Sequence, residues 1–251
     1  MTESPNLHHE NAFARNVQLA TFLRNPVGFV HRDHLEEIGL ESGSVYLLSR
    51  HPGFSRALNR VVGHRTGTDA LMVTKDWLDS LLKSGKHQTA FDLAVCRLEI
   101  LIVVAQKVAS IELYHHLRKC VKKSRRNLFE TFLGTQAFVT SLREAPNRYP
   151  HLAEKGKTLR IDDLIDSLSA GSGHGTSVNG DEAASDGINP LVWIGLSTLY
   201  SFLKATDSVS AALFVLRFPK STETKYFSVS TMTTQQRHEI SNLLQHRGSA
   251  G

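Results

Sequence analysis

Cysteine, tryptophan and methionine are scarce in this chain, at two, two and three residues. With so little cysteine, no disulfide framework and no C-x-x-C metal or redox motif can be built. Cys96 and Cys120 fall in segments that read as helix, and the expectation is two reduced thiols, which suits a reducing compartment. Long hydrophobic runs are missing as well. The most apolar window, 93–109, is interrupted by Arg97, Glu99, Gln106 and Lys107. A spanning helix needs about 20 nearly uncharged residues, so this window is expected to be a core helix. Met1 to Glu10 is polar and histidine-rich and lacks a basic stretch followed by an apolar core, so no signal peptide is expected and the chain should stay in the cytoplasm. Strong charge of one sign is lacking too. Lys plus Arg number 29 against 24 Asp plus Glu, a net +5, which permits attraction to acidic partners but is not the footprint of a dedicated nucleic-acid binder.

What is present points to helix. Hydrophobic residues at 41% and charged residues at 21% exclude wholesale disorder. Leu, Ala, Lys, Arg and Ser dominate, and period-2 runs of branched or aromatic residues are rare. Short helices are expected at Val17–Asn25, Asp33–Ile38 closed by Gly39, Phe54–Val62 stopped by Gly63, and Lys75–Lys83 capped by Thr74. A long apolar helix should run from Thr89 to Ala109. Helices over Ser110–Leu133, Gln136–Glu144 (stopped at Pro146) and Asp162–Leu168 should follow. Val45–Leu48 reads equally as strand or helical turn, and Lys225–Ser230 alternates like a strand. Between Ser169 and Gly187 the composition turns to Gly, Ser, Ala, Asp and Asn, as in a flexible linker or surface insertion. Beyond it, Leu191–Ala205, Val209–Phe218 and Gln235–His246 read as helical. The expected fold is mainly α: a compact helical domain over 1–168, the 169–187 linker, and a smaller helical lobe with its tail over 188–251, with at most one short strand or hairpin.

No motif in the sequence carries catalytic chemistry. Glu154-Lys155-Gly156-Lys157-Thr158 has the end of a P-loop, but His151 stands where the first glycine must be, and no strand precedes it. Thirteen histidines invite a metal site, yet the adjacent pairs His8-His9 and His115-His116 point about 100° apart on a helix and chelate poorly. His31 and His34 have helical spacing without two further ligands nearby. Gly171-Ser172-Gly173 lacks the strand and helix of a nucleophile elbow. The expectation is a protein with no catalytic, cofactor or metal site. The competing enzyme reading would need His31, Asp33 and His115 to converge in one pocket.

The most distinctive charge feature is His115 to Arg126, with six Lys or Arg and no acid. On one continuous helix, Leu117, Cys120, Val121, Leu128 and Phe132 would form an apolar stripe, with Arg118, Lys119, Lys122, Lys123 and Arg126 across the other side. Three readings stay open: a solvated helix face, docking on an acidic protein or membrane surface, or nucleic-acid binding. No aromatics are interleaved for base stacking, which disfavours the last.

Three segments taken in order resemble a known family. Asn25-Pro26-Val27-Gly28-Phe29-Val30-His31-Arg32-Asp33-His34-Leu35 is similar to an aromatic-x-His-Pro-x-x-Leu stretch. The apolar helix and basic segment are followed by Leu133-Gly134-Thr135-Gln136-Ala137-Phe138 and Ala145-Pro146, and Leu216-Arg217-Phe218-Pro219-Lys220 ends a later apolar helix. Together they resemble the SctK (YscK/PscK) family of type III secretion sorting-platform proteins. Arg32 stands where that family tends to have Pro, and His34 where an aromatic is common. The resemblance implies a non-enzymatic adaptor without cofactor, peripheral to the inner-membrane secretion apparatus on its cytoplasmic side. Its implied partners are proteins: the SctQ-type pod protein, the cytoplasmic domain of the ring protein SctD and the ATPase stator SctL, with no nucleic acid. The residues carried over or picked out as partner-binding are Phe29, His31, Leu35, Lys122, Lys123 and Arg126. The alternative function is a small regulatory protein that binds nucleic acid through 115–126.

A stretch as poor in apolar groups as 169–187 cannot offset its own ordering entropy. Limited proteolysis should therefore cut first between Ser169 and Gly187 and leave two fragments that co-elute. First cleavage elsewhere, with this stretch protected, would count against the reading.

Overall fold

The computed structural model describes residues 17, 26–37, 39–65, 75–81, 87–120, 122–162, 165, 188–220, 226–227 and 230–245. A 3-10 turn, Pro26–Phe29, precedes helices α1 (Arg32–Glu37), α2 (Ser42–Arg50), α3 (Pro52–Arg65), α4 (Lys75–Asp79) and α5 (Gln88–Val95). Then come α6 (Leu98–Glu112), α7 (Tyr114–Arg118), α8 (Lys123–Leu133), α9 (Thr135–Arg148) and α10 (Pro150–Gly156), and finally α11 (Pro190–Thr206), α12 (Ser208–Val215) and α13 (Thr234–Gln245). No strand occurs among the described residues, and the ambiguous Val45–Leu48 lies inside α2. The expected linker at 169–187 lies outside the described residues, as do most of the expected helices at 17–25 and 162–168.

The boundary runs elsewhere than at 168 and 188. One unit takes Met1–Cys96 with Asp207–Glu223, and the other takes Arg97–Thr206 with Thr224–Gly251. The reason is burial. The apolar side of α11 finds its partner in α6, the most extensive helix pair of the fold, while α12 packs on α5. Residues 188–251 therefore do not form a lobe of their own.

In the first unit Val27, Leu35, Val45, Leu58 and Val62 make a small core. Gly39 closes α1 with a positive φ of 79°. Its N–H donates to Glu36 O and the Leu40 N–H to Leu35 O, the paired bonds of a Schellman motif, and Leu40 packs on the core beside Leu35. Asp207 starts α12 as a buried N-cap. It accepts from the N–H groups of Val209 and Ser210, and from Trp77 Nε1 at 3.2 Å. One carboxylate thus satisfies two orphan amides of α12 and ties α4 to it. α3 does not stop at Gly63, which is buried within the helix as it continues to Arg65.

The expected single helix from Thr89 to Ala109 is two helices, broken at Cys96 and Arg97. Neither Gly nor Pro marks the break. The carbonyls that end α5 are taken instead by other donors: Leu93 O by the Cys96 thiol at 3.3 Å, and Ala94 O by the Arg217 guanidinium at 3.0 Å. A donor 123 residues away in sequence cannot be read from a local pattern.

The second unit is arranged around α6. Leu101, Val104, Ala105, Val108, Ala109 and Glu112 recur at helical spacing and are all buried. Helices α8, α9, α10 and α11 all pack against it. Gly195 brings α11 onto α6: a Cβ there would stand 1.9 Å from Ala105 O. The backbone carbonyl cannot give way as a side chain could. α9 runs through Pro146 to Arg148 although the proline has no N–H to offer the preceding turn; Ala145 beside it is completely buried, and Tyr149 N–H reaches Ala145 O at 3.0 Å. Cys96 and Cys120 are not joined in a disulfide, and each sits just past a helix end.

Gly195→Ala should cost about 3 kcal/mol or more, since α11 must move off α6. Gly43→Ala, in α2 with nothing within 4 Å of the added carbon, should stabilise by about 0.5 kcal/mol. Urea unfolding of the two variants checks both signs. A Gly195→Ala variant as stable as the parent would refute the contact.

Candidate interaction surface

The second unit holds its buried charges in place with paired partners. Glu112, at the end of α6, is 1% exposed and faces Lys155 Nζ at 2.6 Å and Thr198 Oγ1 at 2.8 Å. Lys155 also donates to Thr198, so one residue each from α6, α10 and α11 meets in a triad. Burial pushes the Glu112 carboxyl above the usual carboxylate range, and Lys155 and Thr198 offset part of that. Glu239 on α13 accepts from His151 N–H at 3.0 Å and Leu152 N–H at 2.9 Å, capping α10 from outside its own sequence. Gly156 is explained by packing: a Cβ there would lie 1.7 Å from Glu112 O. The Gly-Lys-Thr sequence therefore ends a helix seated against α6, and no phosphate-binding loop is formed.

The basic run is carried by α7, a turn, and the start of α8, and is not one helix. Had α7 and α8 been continuous, Arg118 and Lys122, Lys119 and Lys123, and Lys122 and Arg126 would each have stacked at i, i+4. Each like-charge pair costs about 0.2–0.5 kcal/mol. The break separates the first two pairs, while Lys122, as the N-cap of α8, stays one turn before Arg126. Leu117 is buried and Cys120, Leu128 and Phe132 pack against the same core, as the expected stripe requires, while Val121 lies outside the described residues. The fully buried members of this face are Phe129 and Leu133, which the continuous-helix register had not singled out.

The cations divide into two sets. Arg125 pairs with Asp162, and Arg126 bonds Glu130 at 2.8 Å with its guanidinium 5.5 Å over the Phe138 ring. Arg125 holds the Asp162 carboxyl below its ordinary range. Arg118, Lys119, Lys122 and Lys123 are exposed and have no ion pair among the described residues. Lys122 is the N-cap of α8 and makes no side-chain cap bond, and the first turn holds no acid. Cations at the positive end of a helix dipole are unfavourable by about 0.3–1 kcal/mol each.

The other expected contact residues lie in the first unit. Phe29 closes the 3-10 turn, and its side chain is not among those described. His31 caps α1: its Nδ1 accepts from Asp33 N–H at 3.3 Å, and its own N–H donates to Leu216 O at 2.7 Å. Leu35 is 5% exposed, so its role is packing and not contact with a partner. His34 Nε2 meets Phe218 O at 3.1 Å, a bond that places the proton on Nε2. His115 faces Glu154 at 3.5 Å, and His116 faces Gly156 O at 3.3 Å. His31 and Asp33 belong to one unit and His115 to the other. Among the described residues no group of three or more His, Cys, Asp or Glu could hold a metal ion, and no helix is long and apolar enough to cross a membrane. Glu112, Glu239 and Asp207 are the polar residues that sequence reading missed. Their partners lie 86, 87–88 and 130 residues away.

Because its folded pKa is raised, Glu112 contributes stability that is present in acid and lost as the pH rises through that raised value. Glu112→Gln keeps the shape and a bond to Thr198 but cannot ionise. Between about pH 4 and 8, its urea midpoint should fall less with pH than the parent's. Asp162 and Glu154, both held low, act in the opposite sense, and comparing variant with parent removes them. Parallel profiles would refute the assignment.

Comparison with protein-family models, with curated proteins and with solved structures finds no match to this chain.

Proposed function

We propose that this chain is a non-enzymatic adaptor of the type III protein secretion apparatus, joining the cytoplasmic face of the inner-membrane ring to the SctQ-type pods of the sorting platform. One observation supports the adaptor reading most. Arg118, Lys119, Lys122 and Lys123 cluster at the α7–α8 corner with no ion pair among the described residues, and at the start of α8 the helix dipole makes Lys122 and Lys123 costly to the fold. Such a cluster is relieved by an acidic surface from outside. The three-segment resemblance supplies the identity of the partners: the pod protein, the ring protein SctD and the stator SctL. The mild net charge of +5 agrees with a docked rim and not with a nucleic-acid scaffold. In this reading the protein turns over no small molecule and lies at the membrane only through its partners.

Lys122→Glu with Lys123→Glu separates function from stability by sign. The acids sit at the positive end of α8, so the melting temperature should stay level or rise slightly. Association with an acidic partner should slow and weaken, since rim charges act mainly on encounter. Pull-down from cells producing the whole secretion apparatus should recover pod and ring proteins with the parent chain, and less of one of them with the variant. Recovery of nucleic acid with a steep salt dependence, or of neither protein, would overturn the proposal.

A further inference from the structure

We propose that α3 carries a second docking surface whose occupant is an acidic amphipathic helix of a partner protein. This goes beyond the adaptor reading and stands whether or not the partners belong to a secretion apparatus. α3 buries one side, through Leu58, Asn59, Val62 and Gly63. A helix of this kind ordinarily turns a polar side to solvent. Here Phe54 is 55% exposed and Val61 48%, with Ala57 exposed between them at i, i+3, i+7. The stripe does not end at α3. The ring of His51, which follows α2, lies 5.2 Å from that of Phe54, and one turn before His51 stands Leu47, 70% exposed.

Beside the apolar stripe runs a cationic one. Arg56, Arg60 and His64 recur every four residues, all exposed, and none has an ion pair among the described residues. No Asp or Glu occurs anywhere in 42–68, which contains Arg50, Arg56, Arg60 and Arg65. Two parallel stripes of helical period, one apolar and one cationic, are the complement of a helix with apolar residues at i, i+3, i+7 and carboxylates at i, i+4 on its flank. The apolar stripe spans about 10 Å at 1.5 Å rise per residue, the length of two helical turns. A helix lying in a membrane interface buries a broader apolar face than three residues can supply, so a protein segment fits better than a lipid surface.

The probe is a fluorescein-labelled synthetic helix with Leu at i, i+3, i+7 and flanking Glu, read by anisotropy with the full chain. Its twin carries Lys for every Glu. The acidic peptide should bind at least tenfold more tightly than the twin at low salt. Phe54→Ser with Val61→Ser, and separately Arg56→Glu with Arg60→Glu, should each weaken it at least tenfold with unchanged circular-dichroism melts, because all four side chains are exposed. Lys122→Glu with Lys123→Glu should leave this binding intact. Loss only in that last variant would overturn the proposal while leaving the adaptor reading standing. Equal binding of the twin would also overturn it, as would preference for phosphatidylglycerol vesicles over the peptide. Self-association abolished by the Phe54 and Val61 changes would assign the stripe to a second copy instead.

Discussion

The second unit depends on how closely α11 can approach α6. At Gly195 the two backbones meet with no room for a single Cβ, and every other helix of that unit that touches α6 is placed around this pair. Interiors are close-packed, so one contact of this kind fixes the register of many side chains. Once α11 is seated, Thr198 stands one turn beyond Gly195 and reaches Glu112 at the far end of α6. Lys155 arrives from α10, whose own seat against Glu112 O requires Gly156. Two glycines and one buried carboxylate thus define a three-helix junction.

Buried charge in this chain is used to end helices and to join them. Asp207 caps α12 and holds Trp77, and Glu239 caps α10 from α13. A helix start leaves N–H groups that must find acceptors, and an ionised carboxylate is the strongest acceptor a side chain offers. Removing either acid would leave the cost twice over, in orphan amides and in a lost tie between elements. Glu112 does the same work inside the second unit, joining α6 to α10 and α11.

Much of the fold was legible because helical periodicity is local. The core helix at α6 and the Gly39 stop of α1 both follow from residues a few positions apart. What escaped reading was decided at a distance or by weak sums. The break at Cys96 depends on Arg217, and the register of α10 on Glu239. The break between α7 and α8 has no Gly or Pro to announce it, only stacked like charges worth a few tenths of a kcal/mol each. Pro146 and Gly63, each a usual stop, were overridden by packing: Ala145 and Val62 beside them are completely buried. Of the expected contact residues, Lys122 and Lys123 are exposed and open, Arg126 is engaged by Glu130, and His31 and Leu35 are built into the first unit. Sequence could name a basic cluster, but only the geometry separates its paired cations from its unpaired ones.

That separation also shows which cations are tied into the fold and which are left open. Arg125 and Arg126 neutralise part of the α8 terminus through Asp162 and Glu130, while Arg126 also covers Phe138. Guanidinium suits that work, since it is planar and can satisfy a carboxylate and an aromatic face together. The open positions next to them are lysines, Lys119, Lys122 and Lys123, whose hydrated ammonium groups pack poorly but attract at long range. Arg125 and Arg126 therefore serve the fold, while Arg118 and the three lysines face outward. A chain under selection for stability alone would place acids at this helix start. Lys122 and Lys123 stand there instead without an ion pair among the described residues, whereas Arg118 and Lys119 lie at the carboxyl end of α7, which favours cations.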